Sequence, residues 1–173
     1  SRRTDGDYLE IGTDQEMNGR YLAALTTYNE GLARYPDSLA LLRAAGRLMV
    51  VLKQYEAAVP LLTRALSRVS HDREVAYYLG LAQWFLDRPQ QARLAWESAQ
   101  QYGPHRPAAL YQLAATAARA GSLAGALALL EKASGGGADS VRAWAMQAAL
   151  LRHAGRREEA VRRLTGWRPV DPT

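Results

Sequence analysis

Five alanines recur along this chain at a fixed interval of 34 residues: Ala24, Ala58, Ala92, Ala126 and Ala160. A small residue stands 12 before each (Gly12, Gly46, Gly80, Ala114, Ala148), and a large apolar one stands four after (Tyr28, Leu62, Trp96, Leu130, Leu164). No insertion breaks the phase, and Pro36, Pro104 and Pro172 close every second unit. A strict period of this length marks stacked helical hairpins, because one hairpin alone cannot bury its apolar face. The expected fold is therefore an all-α solenoid of five units, 5–38, 39–72, 73–106, 107–140 and 141–173, with 1–4 as a leader.

Each unit reads as two helices, A and B. In the third, A spans about Arg73 to Phe85 with Ala76, Leu79, Gly80 and Gln83 on one side. B spans about Pro89 to Gln101, with Ala92, Trp96 and Ala99 at the i, i+4, i+7 spacing of one helical face. Gly19, Gly121 and Gly155 fall between A and B, where a reversal is easiest without a Cβ. Asp37, Asp72 and Asp139 precede the next A helix, where a short acceptor caps free amides. Pro60 falls inside B of the second unit and is expected to kink that helix or mark a late start.

These positions resemble the tetratricopeptide repeat. The first unit carries its pattern as Tyr8, Ile11-Gly12, Gly19, Tyr21, Ala24, Tyr28 and Pro36, and the third as Leu79-Gly80, Ala92, Trp96, Ala99 and Pro104. The resemblance covers essentially the whole chain and implies a right-handed superhelix whose A helices line a concave, ligand-taking groove. On that register the groove residues are Leu9, Thr13, Glu16 and Met17, then Arg43, Arg47, Val50 and Val51. They continue as Glu74, Tyr77, Leu81, Trp84 and Phe85, then Tyr111, Ala115 and Arg119, then Arg142, Ala149, Arg152 and His153. The candidate binding set is Arg43, Arg47, Tyr77, Leu81, Trp84, Phe85, Tyr111, Arg119 and Arg152, since Tyr, Trp and Arg dominate binding hot spots. Arg43 and Arg47, four apart, are placed to grip a partner's carboxylate. The two-carboxylate clamp that some such arrays use for chaperone tails is not reproduced: Leu9 and Thr13 stand where it needs Lys and Asn.

Three places depart from the repeat: Gly135-Gly136-Gly137 at the end of the fourth B helix, Pro60, and Trp167 where other units hold Gly or Ala. The glycines are expected to end that helix early and to act as a hinge. Trp167, between Gly166 and Pro169, is expected to cap the last helix.

Composition narrows the chemistry. The chain has no cysteine, so disulfides and thiolate metal sites are excluded. No serine pairs recognisably with a histidine and an acid, and the glycine triplet lacks the Lys-Ser/Thr of a phosphate loop. His71 and His105 read as turn residues. No cofactor, metal or catalytic residue is expected, and no compartment is indicated. The opening Ser1-Arg2-Arg3 reads like a segment of a longer protein, and arginine used in place of lysine, with abundant alanine, suggests a GC-rich bacterial source.

Charge is uneven. Residues 5–38 hold seven acids against two bases, a net −5, whereas residues 141–173 hold seven bases against three acids, a net +4. The reading that follows is a non-enzymatic protein-interaction scaffold binding a peptide segment, acidic ones included, or a partner domain in the groove. The runner-up is a spacer or self-association module of a larger protein, with the charged ends as its contacts. RNA binding ranks third, because the acidic first unit interrupts a phosphate track.

Overall fold

The computed structural model describes residues 2–100, 105–134 and 138–165. Every regular element among them is an α-helix. In chain order these are α1 (Asp5–Met17), α2 (Tyr21–Arg34), α3 (Leu39–Val51), α4 (Tyr55–Arg68), α5 (Arg73–Phe85), α6 (Pro89–Ala99), α7 (Arg106–Arg119), α8 (Leu123–Ala133), α9 (Ala138–His153) and α10 (Arg157–Thr165). The third A helix therefore covers the span read from sequence, and Pro89 opens its B helix, where a missing amide costs nothing.

Two compact units divide the chain, residues 1–98 and 99–173. In the first, α3 packs on its hairpin partner α4, on the preceding α2, and on the A helices to either side, α1 and α5. In the second, α9 packs in the same way on α10, α8 and α7.

The 34-residue phase has a direct physical cause at the A–B crossing. A Cβ added at Gly12 would overlap the Tyr28 ring, and one at Gly80 would overlap the Trp96 indole. At Gly46 it would come within 2.6 Å of Leu62 Cδ2. The small residue and the large one 16 positions later are thus two halves of one contact: Gly receives Tyr, Trp or Leu, and Ala114 receives Leu130. The five phase alanines are all buried beside it. Trp96 is wholly buried, and its indole Nε1 donates to the Tyr77 carbonyl at 3.3 Å. Such interiors tolerate neither voids nor added methylenes.

The A–B turns repeat as strictly. Gly19, Lys53, Asp87, Gly121 and Gly155, again 34 apart, all have positive φ, between 58° and 81°. In each, the next amide reaches back to the carbonyl five residues earlier, as from Arg20 to Gln15 at 2.8 Å and from Gln54 to Met49 at 2.7 Å. This closes the helix end on itself and satisfies its last carbonyls. Two of the five turns hold a non-glycine residue in the left-handed region, at a steric cost that Gly avoids.

Capping differs from expectation at one site. Asp72 caps α5, accepting from the Val75 amide at 3.1 Å, and Thr4 with Asp7 forms a reciprocal capping box on α1. Asp37 does not cap α3. Its carboxylate is taken by Arg64 at 2.7 Å and Arg68 at 2.8 Å, which hold it below the usual carboxylate range, and Ser38 occupies the N-cap position. Pro60 neither delays nor ends α4, which starts at Tyr55 and runs through it to Arg68. Pro104, Gly135–Gly137, Gly166, Trp167, Pro169, Pro172 and the side chain of Asp139 lie outside the described residues.

The crossing predicts an asymmetric response to single methyls. Gly80→Ala and Ala92→Leu should each destabilise by about 1–3 kcal/mol in urea denaturation, through overpacking. Lys53→Gly should stabilise by up to about 1 kcal/mol by relieving left-handed strain. Gly19→Ala, the reverse change at the equivalent turn, should destabilise by a similar amount.

Candidate functional site

In the first unit, α1, α3 and α5 lie side by side, so residues 34 apart fall on neighbouring helices at one level. The last residue of each is a large apolar side chain left open to solvent: Met17 at 77 %, Val51 at 52 % and Phe85 at 59 % exposure. Phe85 is held flat on Tyr55 of α4, ring centroids 4.9 Å apart and planes 13° from parallel. That stacking fixes the ring without covering its outer face. Trp84, half-buried, leans on Trp96 at 5.8 Å between centroids. Tyr77, also half-buried, meets Tyr78 edge to face at 5.5 Å, and Leu81 packs against the unit's core. Val50, on the groove register by sequence, is buried in that core.

The two arginines offered by the sequence to a partner's carboxylate are met by carboxylates of this chain. Arg47 Nη2 donates to both Glu16 oxygens, at 2.7 and 2.6 Å, tying α3 to α1. Glu16 also accepts from the Tyr28 hydroxyl at 2.7 Å. Burial pushes that hydroxyl's pKa up to about 12, with the neighbouring Glu16 carboxylate adding to the rise. Arg43 bridges α3 to the start of α5 through Asp72 at 2.9 Å and Glu74 at 3.5 Å, yet its side chain stays 43 % exposed. The carboxylates lie roughly one repeat away in sequence, so no short motif reveals the pairing.

In the second unit, Tyr111 is half-buried against the cluster around Leu110, Ala114 and Leu130. Arg119 ends α7 and is exposed. Arg152 lines an open hollow of about 650 Å3 with Ala149, His153, Arg157 and Val161. Sequence reasoning placed Ala149, Arg152 and His153 on the groove register but missed Arg157 and Val161, which α10 contributes. It also missed Tyr55, the support of Phe85. Each belongs to a B helix, which the groove register omits. His71 is exposed beside Ser70, and His105 precedes the first turn of α7. Among the described residues no three His, Asp or Glu side chains are placed to hold a metal ion, and no helix is long and apolar enough to cross a membrane.

Solved structures share this architecture over nearly the whole chain. A MamA structure is 22 % identical, covering 93 % of this chain and 88 % of its own at a TM-score of 0.81. MamA from Desulfovibrio magneticus RS-1 is 16 % identical, covering 93 % and 91 % at 0.81. YrrB, described as a TPR protein with an unusual peptide-binding site, is 20 % identical, covering 92 % and 82 % at 0.75. The fold is that of a tetratricopeptide-repeat array. No protein-family model and no curated protein matches the chain, so the likeness is one of fold.

Within the array, the Tyr28–Glu16–Arg47 chain links an A–B crossing to the neighbouring A helix. The raised pKa means that Tyr28 favours folding while neutral: this contribution is full below its ordinary value near 10 and is lost as pH rises toward 12. Phenolate absorbance should show one tyrosine ionising last, and Tyr28→Phe should remove that step along with the matching alkaline loss of thermal stability. Arg47→Met should cost about 1–3 kcal/mol, because Glu16 loses its charged donor in a partly buried site. A double-mutant cycle with Glu16→Gln should show the two changes to be non-additive.

Proposed function

We propose that residues 5–173 act as a non-enzymatic interaction scaffold that takes a peptide segment or partner domain along the outward side of its A helices. The observation carrying this reading is the row Met17, Val51 and Phe85: three large apolar ends, all more than half exposed, one per neighbouring helix. Isolated exposed apolar residues are ordinary, but a row in register offers a partner a continuous strip to bury. Phe85, fixed by its stacking on Tyr55, loses little freedom on binding and suits the role of anchor.

Trp84, Tyr77 and Leu81 form the half-buried floor beside the strip, and Arg43 and Arg47 stand next to it. Their own ion pairs hold them in place, so they border the contact and favour segments that carry an acid beside an apolar residue. Tyr111, Arg119 and Arg152 hold comparable A-helix positions in the second unit. Support from known folds comes from YrrB, an array of this kind described as having a peptide-binding site. An affinity in the micromolar range, about −8 kcal/mol, suits a short segment that must be ordered on binding.

Phe85→Ala with Val51→Ala is the cleaner test, since Trp84 also supports Trp96 and its removal would perturb the crossing. Screened against an immobilised peptide library, the wild-type chain should capture a defined set of sequences. The double variant should bind them at least tenfold more weakly while keeping its helical circular dichroism. Binding unchanged in the double variant would exclude this face.

A further inference from the structure

We infer that α2, α3 and α4 form a second docking site, a one-residue cleft for a Leu- or Phe-sized side chain of a partner protein whose next residue is an acid. The site shares no residue with the row Met17, Val51 and Phe85, so it stands apart from the peptide-binding reading.

The cleft opens where α2 turns into α3 alongside α4, and holds about 200 Å3. Leu42 of α3, 2 % exposed, is its floor, half-buried Leu32 and Leu61 are its walls, and exposed Pro36 and Pro60 are its lips. Arg64 completes the lining. Both prolines have a fixed φ and a closed ring, so the lips are set before anything binds and lose no rotamer freedom. This gives Pro60, which α4 takes in without a break, a use that the repeat does not require. Nor does the repeat dictate the cleft: one period on, Ser70 stands for Pro36, Leu94 for Pro60 and Ser98 for Arg64.

Beside the cleft, charge is left over. Arg64 and Arg68 meet the same oxygen of Asp37, at 2.7 and 2.8 Å, each through its Nη2. A guanidinium carries five N–H donors, so both keep donors to spare. Two cations thus share one anion, and among the described residues no other acid pairs with either. Their side chains are 48 % and 45 % exposed, open to a carboxylate that arrives from outside.

Size and charge together name the occupant. A volume of about 200 Å3 is below the roughly 300–1,000 Å3 of small-molecule sites, and no buried polar side chain lines the cleft to orient a free ligand. It suits one large apolar side chain. Because Arg64 lines the cleft itself, the complementary carboxylate belongs on the residue next to that anchor. A second copy of this chain does not offer the pair: among the described residues, none of the exposed large apolar side chains is followed by an acid. The occupant is therefore a segment of another protein.

The test is an NMR titration of the full chain, methyl-labelled at leucine, with the peptide acetyl-Gly-Leu-Glu-Gly-amide. The methyl signals of Leu32, Leu42 and Leu61 should shift, with a Kd on the order of 1 mM. The same peptide with Gln for Glu should bind about fivefold more weakly, the effect of one exposed ion pair. With Ser for Leu it should leave these methyls unmoved. Arg64→Gln with Arg68→Gln should bring the Glu peptide down to the Gln peptide's affinity at unchanged helical circular dichroism. Asp37→Asn should tighten it, because both arginines are then released to the ligand. No shift of the three leucines, or equal affinity for the Glu and Gln peptides, would overturn the inference. Shifts lost in Phe85→Ala with Val51→Ala would assign the binding to the A-helix face and overturn it as well. The same methyls moving on simple dilution without peptide would give the cleft to a second copy, against the inference.

Discussion

One close crossing per hairpin governs this structure. Where α1 meets α2, and again in the next three hairpins, a residue with little or no side chain faces a large one 16 positions later, and the backbones come together only because the pair is complementary in size. Fixing that distance fixes the angle of the hairpin, which sets where the next A helix lies. The periodic burial of Leu41, Val75 and Ala143 follows from it, as does the alignment of Met17, Val51 and Phe85 on neighbouring helices. Stability in such a chain is a sum of similar local terms, so the crossing acts through repetition rather than through one central core.

Electrostatics adds a second layer that sets identity more than stability. The crossings are nearly interchangeable, but the ties between A helices are not: Arg47 with Glu16 on one side of α3, and Arg43 with Asp72 and Glu74 on the other. They join helices that would otherwise present unpaired charges to each other. They also leave the A-helix face of the first unit with apolar ends and arginines already held, a surface suited to apolar contact bordered by charge.

The architecture was legible in the sequence because its cause is local and periodic: Gly80 and Trp96 announce a hairpin whatever surrounds them, and the span of α5 followed directly. Turn chemistry was legible only where glycine marked it. Lys53 and Asp87 occupy the same left-handed position with side chains that do not betray it, since the helix-end hydrogen bonds impose the conformation. Asp37 misled because a capping position and an arginine pair compete for the same carboxylate, and Arg64 with Arg68 won. Among the candidate binding residues, helix and register could be read from the period. The partners of Arg43 and Arg47 could not, since they depend on how successive hairpins settle against each other.

The exposure of Leu164 has a kinetic consequence. Four copies of this knob are locked between helices, and the fifth is half free, on a helix of nine residues rich in arginine. Contacts with neighbours hold each helix of such a stack, so α10, with its knob half exposed, should open locally more often than α3 or α4. Among the described residues α10 is thus open to local unfolding, and a protease that cuts after arginine would find a substrate there.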